Sequence, residues 1–167
     1  TEVRSHFNGS ILWALPYTKA NLQTPLTFLQ ETDGIYLLWN AALTTQGNVD
    51  KNELANEAGR LLDNEVSALP PLLNKPIILA LAYPSATGSA NGCLTDGRGG
   101  CMDWSALSQP NPDTGTVALD LQIQSDLYEA VLTAVNSRSW INGIVSRGYY
   151  LPAALQDKSA SVHGKPA

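Results

Sequence analysis

Two cysteines are the most direct chemical handle in the sequence. Cys93 and Cys101 bracket Leu-Thr-Asp-Gly-Arg-Gly-Gly, a stretch rich in Gly and Asp that lets a chain fold back on itself. The pair reads as a disulfide closing a short loop, which would imply an oxidising compartment. Two unpaired thiols are the alternative. A metal site fits less well, because no His or further Cys lies nearby in sequence. The two histidines, His6 and His163, stand in polar end segments without the Asp and Ser context of a triad. Ser85 follows Tyr-Pro and lacks a Gly-x-Ser-x-Gly elbow, so serine-type hydrolysis is not indicated. Asn8-Gly9-Ser10 matches a glycosylation sequon, a pattern short enough to arise often by chance.

The elements that must position these groups follow a repeated grammar. Ser10–Leu15 is a short apolar run ended by Pro16 and reads as a buried strand. Pro25–Gln30 predicts a short helix, with Thr24 as cap and Pro in the first turn. Gly34–Trp39 is a second strand. After a loop over Asn40–Asp50, the spacing of Leu54, Ala58, Leu61, Leu62, Val66 and Leu69 predicts one helix over Asn52–Leu69, ended by Pro70 and Pro71. Pro76–Ala82 is the clearest strand, apolar throughout as in a parallel sheet covered on both faces. A long loop from Tyr83 to about Ala118 holds both cysteines; loops of this length are functional or pinned. Asp120–Val135 predicts an amphipathic helix with Asp120 at its positive end. Trp140–Ser146 is a fourth strand, and the remaining residues are loop-like.

The alternation of strand and helix implies a parallel sheet with right-handed crossovers, either open and doubly wound or part of a barrel. The dinucleotide and P-loop glycine signatures are absent, and the sequence implies no cofactor. With 167 residues the chain is long enough for one domain, 1–167. Charged residues are only 15% and net charge is −5, without the basic cluster that a nucleic-acid partner needs. No apolar run approaches the roughly 20 residues of a membrane span. No signal peptide is visible, and the abrupt polar start at Thr1 reads as a processed or cut fragment.

Two segments carry a family resemblance. Lys-Pro-Ile-Ile-Leu-Ala-Leu-Ala-Tyr-Pro-Ser, from Lys75 to Ser85, resembles the seventh barrel strand of glycoside hydrolases related to the family 113 β-mannanases. Trp-Ile-Asn-Gly-Ile-Val-Ser-Arg-Gly-Tyr-Tyr, from Trp140 to Tyr150, resembles the eighth, and Leu155–Ala167 the link into the final barrel helix. Aligned so, Ile11–Leu15 is strand five and Ile35–Trp39 strand six. The resemblance implies an α/β fold that is the C-terminal half of a TIM (β/α)8 barrel. Its partners would be a polysaccharide or oligosaccharide and either an upstream half of the same barrel or a second copy. Its location would be extracellular or at the cell surface.

Retaining glycosidases use two carboxyl groups about 5–5.5 Å apart. The resemblance puts the acid/base on strand four, upstream of Thr1. It puts the nucleophile, a Glu, near the end of strand seven in a Glu-x-Gly-Tyr-Pro-Ser-like setting. Here the matching stretch is Ala80-Leu81-Ala82-Tyr83-Pro84-Ser85, and Ala80 stands where the Glu is expected. An alanine has no lone pair with which to attack an anomeric carbon, so weakened or lost catalysis is expected of this portion. A non-catalytic binding or structural module, and an active hydrolase whose carboxylates lie elsewhere, are the competing readings. Asp33 would sit at the stability face of a barrel. Asp96, Asp103, Asp113 and Asp157 would lie on the catalytic face, the first three read as turn residues and Asp157 as an ion-pair partner of Lys158 or a cap.

Barrel sites are built at strand C-termini, and Trp39, Tyr83, Arg147, Tyr149 and Tyr150 fall there, with Tyr17 just past strand five. Aromatic faces can stack on the C–H face of a sugar and Arg can bridge hydroxyls; filling the barrel mouth is the alternative use of the same rings. Trp13 reads as core. Trp104 reads as packing on the proposed disulfide.

Overall fold

In the computed structural model the described residues are 2–24, 26–45, 50–96, 98–102, 104–107, 109–110, 112–115, 117–150 and 157–167, with only the backbone of Trp104 and Ser105. The Gly34–Trp39 run forms strand β2, flanked by β1 (Leu12–Pro16) and β3 (Ile77–Leu81); β4 (Ile141–Ser146) completes the sheet. All neighbours are parallel and the spatial order is β1-β2-β3-β4. A doubly wound sheet would reverse direction at a switch point. Sequential order, with one face covered, is instead the arc of a barrel.

Register shows how the covered face is built. Ile35 pairs with Ile77, Leu37 with Leu79 and Trp39 with Leu81, and all six are buried. They pack on Leu54, Ala58, Leu61 and Leu62 of one crossover and on Leu127, Val131 and Ala134 of the next. The opposite face carries Leu12, Ala14, Tyr36, Leu38, Ile78, Ala80, Gly143 and Val145, where Leu12 is 43% and Val145 40% exposed. Between Ile77 and Ile78 the ladder with β4 slips past one residue, Asn142. Its Oδ1 accepts from the Ile77 N–H at 2.9 Å, so the side chain fills the gap left by the bulge.

The crossovers depart from the simple pattern. Before them, α1 (Glu2–His6) occupies the polar start. After β1, Thr18 rather than Thr24 caps a helix, α2 (Lys19–Gln23), and Thr27–Glu31 forms a 3-10 turn; Pro25 lies outside the described residues. The single helix expected over Asn52–Leu69 is three pieces: α3 (Lys51–Leu61), a π-helical turn (Leu62–Val66) and α4 (Leu69–Leu73). Pro70 and Pro71 do not terminate a helix but sit in the first turn of α4, where a missing N–H costs nothing. The π turn shifts the phase of the buried stripe, so one periodic pattern spans a broken path. Asp50 caps α3 through the N–H groups of Asn52 and Glu53.

The long loop after β3 contains a 3-10 turn (Ser89–Asn91) and a short helix, α5 (Trp104–Leu107). The Cys93–Cys101 disulfide is formed, with Cα atoms 5.0 Å apart. It pins a small satellite core of Ala86, Leu94, Leu107 and Val117. The expected packing of Trp104 and the role of Asp103 lie outside the described side chains.

Helix α6 (Leu121–Asn136) begins at Asp120, whose Oδ1 accepts from the Ile123 N–H at 2.9 Å. Two sets of contacts bind it and the residues just after it to α3 and the π turn. Lys51 reaches Asp126 at 3.0 Å and Glu129 at 2.8 Å. Arg138 donates to both Asp63 oxygens at 2.7 and 2.6 Å and to the Gly59 carbonyl at 3.1 Å. The bidentate pair fixes direction as well as distance.

Candidate functional site at the strand ends

Backbone pairing continues past the strands and brings their exits together. Tyr17 N donates to Leu38 O, Ala82 N to Trp39 O and Arg147 N to Leu81 O, at 3.2, 3.1 and 2.8 Å. The C-terminal ends of β1 to β4 therefore present Tyr17, Asn40, Ala82 and Arg147 side by side. Parallel strands must do this, because each crossover returns the chain to the same starting end.

Two of the expected ligand contacts are buried here. Trp39 and Tyr83 are both 0% exposed. Trp39 lies on the helix-covered face, its ring centroid 4.7 Å from that of Tyr17. Tyr83 donates its hydroxyl to Ala41 O at 2.9 Å and packs edge-on against Tyr128, centroids 6.4 Å apart. Burial pushes the Tyr83 phenol well above its ordinary range, against a small opposing effect of the nearby Trp39 indole. That indole N–H lacks a hydrogen-bond partner of good geometry, so proximity rather than a formed bond describes the pair. Burial likewise pushes Tyr128 up to about 12. A sugar ring stacks only on an open face, and in this arrangement neither Trp39 nor Tyr83 has one. Their rings form a floor beneath the strand exits. Trp13, on the same covered face, meets Phe28 edge-on at 4.5 Å and stays 43% exposed rather than entering the core.

The residues after β4 behave differently. Tyr149 is 69% exposed, and Arg147 and Tyr150 are partly exposed. One face of Tyr149 is covered by the His163 imidazole, centroids 4.1 Å apart and 27° from parallel. Gly148 adopts φ +87°, a left-handed turn that would strain any other residue. A Cβ there would stand 3.1 Å from the Tyr150 oxygen and 3.3 Å from Ser161 N. Partial burial raises the Tyr150 phenol, which Arg147 counteracts.

Beneath this loop lies a polar cluster that the sequence did not reveal. Asp157 accepts from Ser159 N at 3.0 Å and from Ser159 Oγ at 2.6 Å. Ser85 donates to Asp157 O at 2.7 Å, and Lys165 Nζ donates to Ser85 Oγ at 2.9 Å and to Ser159 O at 3.2 Å. Gln124 donates to Tyr83 O at 2.7 Å and to Ser161 O at 3.3 Å. The lysine facing Asp157 is Lys165, at 4.0 Å, and not the adjacent Lys158. Desolvation lowers the Lys165 pKa, with Asp157 opposing. These contacts link residues some 80 apart and tie the tail onto the start of the long loop. Alternating Ser159 and Ser161 was the one available signal, and without a fold it reads as loop composition.

The other weighed carboxylates serve their own turns. Asp33 lies at the N-terminal end of the sheet, bonded to Arg4 and Ile11 N, which hold its carboxyl below the usual range. Asp96 accepts from Arg98 N and Gly100 N inside the disulfide loop, and Asp113 from Gly115 N. Among the described residues no three His, Cys, Asp or Glu side chains converge as a metal site. Ala80 lies on the inner face near the end of β3, in register with Leu38 and Val145.

These strand exits sit on the (β/α)-barrel fold that the sequence resemblance implies. No protein-family model matches the chain, and no curated protein matches its sequence. Two solved structures match its fold: a glycoside hydrolase family 113 β-1,4-mannanase and a complex of such an enzyme. Each has a TM-score of 0.62 and 22% identity, covering 99% of this chain and 45% of that chain. The chain thus spans a little under half of the barrel enzymes it resembles, and it is similar to them in fold.

Proposed function

We propose that the chain is strands five to eight of an extracellular carbohydrate-active barrel. Its strand ends bind a polysaccharide or oligosaccharide, and the strand-seven nucleophile of the mannanase pattern is replaced by Ala80. The observation that carries this is the placement of Ala80: inner face, end of the third strand, flanked by Leu38 and Val145. That is where a barrel nucleophile belongs, and its alanine methyl cannot form a glycosyl-enzyme bond. The disulfide fits an oxidising compartment, and no described helix is long and apolar enough to cross a membrane.

Within the reading, Tyr149 and Arg147 supply contacts to sugar, while Trp39 and Tyr83 support the floor and Tyr150 the loop. The half-exposed inner face is closed by four further strands, from an upstream half or from a second copy. The test is incubation of the full polypeptide carrying this chain with manno- and gluco-oligosaccharides, followed by product analysis and calorimetric titration. Binding without cleavage is the expected result. Cleavage of either oligosaccharide by the full polypeptide would overturn the loss of the nucleophile.

A further inference from the structure

An exposed aromatic ring is ordinarily mobile, yet Tyr149 is held. Its covered face rests on His163, and the imidazole is itself fixed. Nδ1 lies 2.8 Å from Tyr150 O, and since a carbonyl only accepts, Nδ1 carries the proton in that bond. His163 N donates to Ser161 Oγ at 3.3 Å, Ser161 N to Ser159 Oγ at 3.1 Å, and Ser159 is bound to buried Asp157. Lys165, its side chain only 1% exposed, closes the cluster from the far side. The left-handed turn at Gly148 sends Tyr149 outward while Tyr150 folds back toward Ser161. A flat ring is therefore presented with one face pinned and the other facing solvent, two residues after Arg147, whose charge acts on the neighbouring Tyr150.

We propose that His163 is a positioning residue that pre-orients Tyr149 as a stacking platform for a neutral pyranose chain, with Arg147 bonding its hydroxyls. The proposal rests on the carbohydrate reading above and names the part of the site that does the recognising. A pyranose offers an apolar C–H face to an aromatic ring and hydroxyls at its rim, the chemistry that this pair of side chains complements. Fixing the ring in advance removes the entropy that binding would otherwise lose, a contribution of roughly 3- to 10-fold in affinity per immobilised side chain.

The test is calorimetric titration of the full polypeptide with β-1,4-mannohexaose and with cellohexaose, for wild type, Tyr149→Ala, His163→Ala and His163→Phe. Thermal midpoints check that each variant is folded. Tyr149→Ala is expected to lose about 10-fold or more in affinity and His163→Ala roughly 3- to 10-fold. His163→Phe, which restores a stacking ring without the imidazole bond, is expected to recover most of the His163→Ala loss. If Tyr149→Ala weakens binding and His163→Ala does not, the positioning role is overturned and the carbohydrate reading stands. If Tyr149→Ala binds as wild type, the platform is overturned. If neither sugar binds wild type, the carbohydrate reading itself falls and this inference with it.

Discussion

Replacing Tyr83 by phenylalanine removes one oxygen and leaves the ring in place. The ring still meets Tyr128 edge-on and still fills the floor below the strand exits. What goes is a 2.9 Å bond to the Ala41 carbonyl, in a site without solvent to replace it. Leaving a buried carbonyl short of its donor costs about 1–3 kcal/mol. A loss near 2 kcal/mol corresponds to a fall of roughly 4–8 °C in melting midpoint for a domain of this size. Urea unfolding followed by far-UV circular dichroism measures it directly, with an unchanged denaturant slope showing that only stability moved. Oligosaccharide affinity should stay within about twofold, because Tyr83 has no surface to give a ligand, whereas a true sugar contact would change affinity first. A stability change below about 0.5 kcal/mol, the range of an ordinary surface substitution, would refute the reasoning. So would selective loss of sugar binding in a fully stable Tyr83→Phe protein.

Other outcomes follow from the same geometry. Cys93→Ser with Cys101→Ser should destabilise the long loop by about 2.5 kcal/mol, on the loop-entropy relation for a closure of this length. Limited proteolysis should then cut within residues 84–118 before anywhere else; unchanged cleavage would contradict a pinning role. Lys165 is lowered from its free value of 10.5 by burial, so the unfolded chain binds its proton more readily than the folded one. Stability should therefore rise as pH climbs from the folded pKa toward 10.5. A Lys165→Met variant should lack that rise in urea titrations taken across this window. Asp120→Ala removes the cap of α6 and should cost about 1 kcal/mol. Produced alone, residues 1–167 should not persist as a soluble monomer, since both edge strands and an apolar inner face stand open; a stable monomer by light scattering would contradict the half-barrel.

Apolar runs of strand length, separated by helical periodicity, were enough to specify four parallel strands and their order, because buried parallel strands need both composition and crossover length. Gly34–Trp39 matches its strand end to end, and the other three agree within about two residues. The Gly- and Asp-rich spacer likewise foretold the disulfide. The breaks inside crossovers were less legible. A π turn keeps apolar residues at nearly helical spacing, so the pattern over 52–69 does not reveal that the axis shifts at Leu62.

The site divides along the same line. That Trp39, Tyr83, Arg147, Tyr149 and Tyr150 gather at one end of the sheet follows from parallel strands alone. Which of them faces solvent does not, because a side chain's side of the sheet depends on register and on what covers each face. Register put Trp39 against the helices, and the returning tail laid His163 on Tyr149. The polar cluster of Ser85, Asp157, Ser159 and Lys165 joins residues far apart in sequence, and no local propensity encodes such a pairing. Residue types and periodicity thus determined the strands and their direction. Only the packed chain decided burial, partners and the exposure of Tyr149, since those are properties of contacts between segments rather than of any segment by itself.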